Sequence, residues 1–189
     1  MMFAWFQTKT FTDSWGRKEP LNLVVDLKDN SVCGVKLGHS IHDFSFLGPS
    51  EKPKSIRSEK TLYYLSLGIS LGFDERNSRF CDFRIVWSDY LEEGFTPYRG
   101  SLLFSGKHVG SQGNVSRQDV LAILGEPYGA HRDSEEEIVF YDTSEYEWQF
   151  EFDLQGQLKQ LIVTDAPLLA EDRQRDLFGI RKPWPPSVS

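Results

Sequence analysis

Residues 146–163 have the sequence YEWQFEFDLQGQLKQLIV, and this stretch indicates two neighbouring antiparallel strands. In its first half every second residue is aromatic, at Tyr146, Trp148, Phe150 and Phe152. Successive side chains of a strand point to opposite faces, so a period of two places these rings on one core face. The DLQG sequence that follows is typical of a turn, and the apolar residues after it predict a second strand beside the first.

The first half of the chain has the same layout. From Tyr63 to Phe73 every second residue is apolar, which predicts one long strand, and a turn at 74–78 leads to a second strand containing Phe83 and Trp87. A hairpin is also predicted before each pair of strands, within residues 21–37 and again within 101–110. Both halves are therefore expected to contain an antiparallel β-meander.

A short helix with matching end signals is predicted between hairpin and meander in each half. Ser40 and Ser116 are suited to cap the start of a helix, and Gly48 and Gly125, each followed closely by proline, are suited to end it. Corresponding landmarks in the two halves lie 76 to 79 residues apart. We therefore expect an α+β fold, a tandem repeat of a short helix packed on an antiparallel β-meander, with the strands forming one curved sheet.

This repeat divides the chain into four segments. They are an N-terminal segment at 1–20, a first helix-plus-sheet repeat at 21–90, a second at 99–166, and a C-terminal helix with a Pro-rich tail at 167–189. Acids, Gly94 and Pro97 interrupt the alternation between the two repeats, as is typical of a junction.

The tandem layout resembles that of the β-lactamase inhibitory protein. The second half alone, VLAILGEPYG followed by YEWQFEFDLQGQLKQLIV, is also similar to the small outer-membrane assembly lipoproteins that share that fold. The resemblance covers roughly residues 21–165. It implies a binding protein without catalytic residues that grips its partner with one face of its sheet, and it transfers no contact residue to this chain.

Charge and composition narrow the possible partners. The formal net charge of -7 disfavours nucleic acid and anionic membrane surfaces as partners. The opening residues do not form a secretory signal, and no stretch approaches the roughly 20 apolar residues of a membrane helix, so we expect a cytoplasmic protein. Cys33 and Cys81 are accordingly expected to be reduced, a disulfide between them being the less favoured alternative.

An acidic strand supplies the candidate binding residues. The period of two places Glu145, Glu147 and Glu151 together on the face opposite the aromatic rings. Such a row of like charges favours a protein partner with a basic surface, and it could mimic phosphate towards a nuclease. The alternative is that the acids form a solvated strand face that keeps the protein soluble.

The sequence contains little evidence for a catalytic, metal or cofactor site. His39 and His42 lie three residues apart without a spaced third ligand, and neither a nucleophile elbow nor a phosphate loop occurs, so we expect no enzyme, no metal and no cofactor.

The prediction that remains is a non-enzymatic protein-binding module, an inhibitor or immunity-type protein acting through an exposed sheet face. One alternative is a scaffold that self-associates through the uncharged face of the first long strand, which carries Tyr64, Ser66, Gly68, Ser70 and Gly72. An enzyme with an unfamiliar site is the other.

Overall fold

The computed structural model describes residues 11–51, 60–88, 94–111, 113–143 and 145–186. Within these ranges the strands, in chain order, are β1 (Val24–Asp26), β2 (Ser31–Val32), β3 (Val35–Lys36), β4 (Thr61–Tyr64), β5 (Ile69–Asp74), β6 (Arg79–Val86), β7 (Ser101–Phe104), β8 (Lys107–His108), β9 (Gly129–Arg132), β10 (Glu136–Asp142), β11 (Glu147–Asp153) and β12 (Leu158–Thr164). The α-helices are α1 (Arg117–Leu124) and α2 (Asp172–Leu177), and short 3-10 helices span Ile41–Leu47, Leu65–Leu67 and Leu168–Ala170.

Five strands form a small sheet in the order β3-β2-β1-β7-β8. The strands β1 and β2 form a tight hairpin, with Asn30 in the left-handed region at its turn. The strand β1 also pairs in parallel with β7, so that Val25 lies beside Leu102. The hairpins of the two halves therefore pair with each other.

Seven strands form a large antiparallel sheet in the order β4-β5-β6-β12-β11-β10-β9. The two halves of the chain meet at β6 and β12, where Phe83 lies opposite Val163 and Ile85 lies opposite Leu161. All four of these side chains are fully buried. Apolar residues at every second position thus join the halves into one continuous sheet.

The core lies between the two sheets. One cluster of buried residues includes Val25 and Leu102 from the small sheet together with Ile85, Phe150 and Leu161 from the large sheet. The 3-10 helix at Ile41–Leu47 and the helix α1 add further buried residues to it. We call the face of the large sheet that points away from this core the outer face.

The predicted fold class is wrong, because the chain is mainly β and has two sheets in place of one. The helices that were expected to form a layer span only seven and eight residues, and the first of them is a 3-10 helix. The predicted hairpins do not belong to the same sheet as the meanders. They form the small sheet, in which β1 pairs in parallel with β7. The predicted segment boundaries at 21–90 and 99–166 stay a prediction, and each sheet contains strands from both segments.

The long strand predicted from Tyr63 to Phe73 is also interrupted. The chain reverses through the 3-10 helix at Leu65–Leu67, so β4 and β5 are neighbours in a hairpin. Gly68 ends this helix with a φ of 72° and packs against the backbone of Thr96 and Tyr98. Such a φ and such close backbone contact both favour glycine, and the apolar alternation does not reveal this turn.

The C-terminal segment, residues 167–184, packs on the outer face. Leu169 and Ile180 form a buried cluster with Phe140, and the ring of Phe178 lies 5.0 Å from that of Phe140. The predicted C-terminal helix is divided into a 3-10 turn and α2. The segment therefore covers the end of the large sheet that is formed by β9, β10 and β11.

Candidate functional site

The three acids predicted to form an exposed row lie in different environments. Glu145 is exposed before β11, Glu147 has 0% of its surface exposed, and Glu151 is half-buried. The alternation does place Glu147 and Glu151 on the outer face, but the C-terminal segment covers that face at Glu147. The prediction of an exposed acidic row is therefore wrong.

Glu147 is held by hydrogen bonds from its surroundings. The backbone N–H of Leu169 donates to its Oε2 at 2.9 Å, and Gln149 Nε2 donates to its Oε1. Two N–H donors stabilise a buried carboxylate without a cation. The role of Glu147 in this structure is thus to anchor the C-terminal segment.

Other acids of the stretch are paired with basic side chains. Lys159 forms an ion pair with Glu136. Arg117 Nε lies 2.8 Å from Glu137 Oε1, and Arg132 Nη1 lies 3.4 Å from its Oε2. Glu136 and Glu137 are therefore paired with basic residues from outside the stretch, since the sequence between 133 and 153 contains no basic residue.

A strip of half-buried side chains runs across β6, β12 and β11 on the outer face, and we call it the central strip. On one side of it Phe95 packs over Tyr63 and Val86, and on the other side the C-terminal segment covers Phe140. Its members share intermediate exposure and the outer-face register: Asp82, Arg84, Gln149, Glu151, Gln160, Ile162 and Thr164.

Hydrogen bonds join several members of the central strip. Arg84 Nε donates to Gln160 Oε1, and Gln160 Nε2 donates to Glu151 Oε2. The guanidinium of Arg84 also lies 5.6 Å from the ring centroid of Phe95, a cation–π distance. Burial raises the pKa of Glu151, and the bond from Gln160 opposes that shift.

Asp82 is the second carboxylate of the central strip. Its Oδ2 accepts a hydrogen bond from Cys81 Sγ at 3.4 Å, and Gly72 on β5 leaves room for its side chain. Burial raises the pKa of Asp82, and the negative charge of Asp165 adds to the shift. The strip thus contains two carboxylates whose charges the protein stabilises incompletely.

The clefts outside the central strip include two that contain ionisable side chains. One, of about 500 Å³, separates β8 from α1, but its Ser116 and Asp119 form the capping box of α1. The other, of about 420 Å³, is lined among the described residues by Ser88, Glu135, Asp153 and Lys159. Among their described lining residues, neither cleft brings together an arrangement of nucleophile and base.

The remaining predicted residues lie apart from these sites. His39 and His42 are exposed at the 3-10 helix, where His39 Nδ1 lies 3.8 Å from Asp43 Oδ2. Cys33 and Cys81 are unpaired, half-buried thiols. Within the described ranges, groups of three or more His, Cys, Asp or Glu side chains suited to a metal ion do not occur.

The face proposed for self-association is not open. Ser70 is 6% exposed, Gly68 and Gly72 are buried, and only Ser66 of that set is exposed. As for membranes, none of the helices in the described part of the chain has the length and apolarity needed to span a bilayer.

The chain was compared with family models, curated protein sequences and solved structures. No family model and no curated protein sequence matches the chain. Among solved structures, it is similar to the DUF4309 family protein YjgB of Bacillus subtilis, with 14% identity and a TM-score of 0.46, over 70% of this chain and 83% of that one. The predicted resemblance to the β-lactamase inhibitory protein stays a prediction.

Sequence reasoning missed the importance of Asp82, Arg84 and Gln160. All three occupy polar positions within apolar alternations, as Glu151 does. The signal that could have found them is the pairing of β6 with β12, which brings the polar positions of both halves onto one strip.

Proposed function

We propose that this chain is a protein-binding module that uses the central strip to hold a partner with a basic surface. The observation that carries the proposal is the position of Asp82 and Glu151. Both carboxylates lie half-buried on the outer face between the two covers, where each accepts a hydrogen bond from an uncharged side chain.

Basic side chains from a partner would complete this arrangement. Burial raises the pKa of both carboxyl groups, so each negative charge is less stable here than in water. One Lys or Arg over Asp82 and a second over Glu151 would stabilise the two charges in a partly desolvated setting, where ion pairs can contribute several kcal/mol to binding. Two side chains are needed because the carboxylates lie two strands apart, with Glu151 in the row of Val86 and Asp82 in the row of Thr164.

The other members of the strip favour recognition with little rearrangement. Arg84 is positioned by Phe95 and holds Gln160, which in turn orients Glu151. Such preorganisation lowers the entropic cost of binding. Ile162 lies between Arg84 and Gln149 in the sheet register and supplies an apolar contact at the centre of the strip.

The net charge supports an inhibitor or immunity-type role towards a basic protein. A chain with a formal charge of -7 attracts cationic partners at long range and speeds their encounter. An enzyme with a cationic cleft, such as a nuclease, fits these requirements. We place the interaction in the cytoplasm, supported by the unpaired thiols of Cys33 and Cys81, which are usual in a reducing compartment.

Site-specific crosslinking tests which surface meets the partner. A photo-crosslinking amino acid is placed at Ile162 on the strip or at Leu154, which is exposed on the β11–β12 turn. We expect a basic protein to be captured from the Ile162 position and not from Leu154. Capture from Leu154 alone, or no capture from Ile162, would contradict the proposal.

Affinity measurements on the captured partner test the charges. The double variant Asp82→Asn, Glu151→Gln keeps the shape of both side chains, and we expect it to raise Kd about ten-fold or more. The matched control is Glu145→Gln, which removes an exposed acid outside the strip and should change Kd less than about two-fold. Equal effects of the two changes would count against the strip as the binding site.

A further inference from the structure

Two carboxyl groups lie side by side beneath the C-terminal segment. Asp142 at the end of β10 is the direct cross-strand neighbour of Glu147 on β11. The next pair towards the loop is hydrogen-bonded, since Thr143 N donates to Tyr146 O at 2.9 Å. Asp142 and Glu147 therefore form a non-hydrogen-bonded pair, the kind in which Cα atoms approach to about 4.5 Å and side chains are closest.

The two carboxyl groups have unequal surroundings. Glu147 accepts hydrogen bonds from Leu169 N and Gln149 Nε2. Both side-chain oxygens of Asp142 are buried, and no described residue gives either of them a hydrogen bond. An ionised carboxylate in such a place is costly, whereas a protonated one is not. The geometry thus favours a charge on Glu147 and a proton on Asp142.

Among the described residues, three titratable or charged groups face Asp142 from the elements around it. Glu147 on β11 adds negative charge, Arg175 on α2 adds positive charge, and the Tyr128 hydroxyl group before β9 is close enough to sense the Asp142 charge. The guanidinium of Arg175 is already used within the C-terminal segment, where it donates to the carbonyl oxygens of Leu169 and Ala170. It therefore compensates a charge on Asp142 only in part.

We propose that a proton on Asp142 keeps the C-terminal segment docked on the outer face, and that loss of this proton loosens the segment. This inference does not depend on the binding partner proposed above. When Asp142 ionises, its charge lies next to that of Glu147. The repulsion acts on the side chain to which Leu169 N is bonded, so undocking is the change that brings water to both carboxylates.

The sign of the pH dependence follows from the direction of the shift. Burial, with the charge of Glu147 as the second cause, raises the pKa of Asp142 to about 8. Its unfolded value is close to 4. An acid with a raised pKa favours the docked state at low pH and disfavours it as pH rises through the raised value. The contribution of the proton to docking should thus be complete below pH 4, smaller at pH 7 and almost absent at pH 9.

Release of the segment would change the binding surface. Phe140 and Ile138 lie on the outer face under Leu169, Phe178 and Ile180. Undocking exposes these apolar side chains on β10, next to the β11 edge of the central strip. The same sheet would then present a wider and more apolar face.

Amide hydrogen exchange at Leu169 tests the proposal in the intact chain, because this N–H bonds directly to Glu147. The exchange rate is measured for the wild type and for Asp142→Asn at pH 7 and pH 9. Dividing the wild-type rate by the variant rate at each pH removes the intrinsic effect of pH on amide exchange. We expect the ratio to rise about ten-fold from pH 7 to pH 9, because the proton favours the docked state by about that factor one pH unit below the raised pKa and hardly at all one unit above it.

Two further measurements keep the proposal falsifiable. Asp176→Asn removes an exposed acid of α2, the helix that carries Arg175, and should preserve the wild-type pH response. The 13C shift of the Asp142 carboxyl group reports its protonation in the unaltered chain even if Asp142→Asn does not fold, and a midpoint near 8 is expected. A midpoint below 6, an unchanged exchange ratio, or a response abolished by Asp176→Asn would overturn it.

Discussion

The indole Nε1 of Trp148 donates a hydrogen bond to Oδ1 of Asn30 at a distance of 2.6 Å, and this bond joins the two sheets. Trp148 lies on β11 of the large sheet, and Asn30 lies in the β1–β2 turn of the small sheet. The same indole packs edge-on against Phe104 of β7, with ring centroids 5.9 Å apart. One side chain thus provides both a polar and an apolar contact between the sheets.

Replacing Trp148 by Phe should destabilise the protein by about 1–3 kcal/mol. Phenylalanine keeps a ring against Phe104 but leaves the Asn30 oxygen, in a residue that is 8% exposed, without its donor. Urea unfolding measures the change in free energy. Trp184→Phe, in the less buried C-terminal segment, is the control and should cost less. A cost no larger than that of the control would show that the bond between the sheets contributes little.

Two glycines with the same backbone preference should respond differently to alanine. Gly68 and Gly106 have positive φ of 72° and 76°, so both changes cost about 1–2 kcal/mol in left-handed strain. At Gly68 a Cβ would also lie 2.6 Å from the carbonyl oxygen of Thr96, whereas at Gly106, in the β7–β8 turn, nothing lies within 4 Å. We expect Gly68→Ala to cost about 3 kcal/mol or more, and Gly106→Ala about 1–2 kcal/mol. Equal midpoints in urea would contradict this packing argument.

Local end signals could be predicted from the sequence, because they depend on neighbouring residues. Ser40 and Ser116 do cap the two predicted helices, and Gly48 and Gly125 follow them with positive φ. The type of helix could not be predicted, since a 3-10 and an α-helix start with the same residues. The interruption at 65–67 was missed because Leu65 and Leu67 continue the apolar alternation across the turn.

Long-range pairing could not be predicted in the same way. The parallel contact of β1 with β7 joins Val25 to Leu102, and no local pattern specifies which hairpin meets which. The exposure of the candidate binding residues could not be predicted for the same reason. The period of two placed Glu147 on the correct side of β11, but its burial depends on Leu169, 22 residues further along the chain. Exposure is decided by what packs on a face, and alternation reports only the face.

The two serine caps should differ in their contribution to stability. Ser116 Oγ accepts from Asp119 N at 3.2 Å and donates to Asp119 Oδ2 at 2.6 Å in a half-buried capping box. Within the described part of the chain, Ser40 Oγ accepts only from His42 N, at 3.2 Å, and Ser40 is exposed. Ser116→Ala should therefore cost about 1–2 kcal/mol and Ser40→Ala about 0.5 kcal/mol, as measured by urea unfolding. A larger loss of unfolding free energy for Ser40→Ala than for Ser116→Ala would contradict this ranking of the two caps.

Replacing Asp82 by Asn should stabilise the folded chain at pH 7 and lose that effect in acid. Burial raises the pKa of Asp82, so the folded state holds its proton more tightly than the unfolded state does. The stabilising contribution of that proton is complete below the unfolded pKa, near 4, and disappears as pH rises through the raised value. At pH 7 the wild type therefore contains a poorly solvated carboxylate on the central strip, and asparagine removes its charge while keeping its shape.

Unfolding free energies of the variant and the wild type, measured in urea at pH 7 and pH 3.5, should differ more at pH 7. Asp176→Asn, at an exposed position on α2, should show no such dependence. If Asp82→Asn destabilised the chain equally at both pH values, the hydrogen bond from Cys81 would outweigh the desolvation of the carboxylate. Asp82 would then not be an incompletely stabilised charge of the central strip.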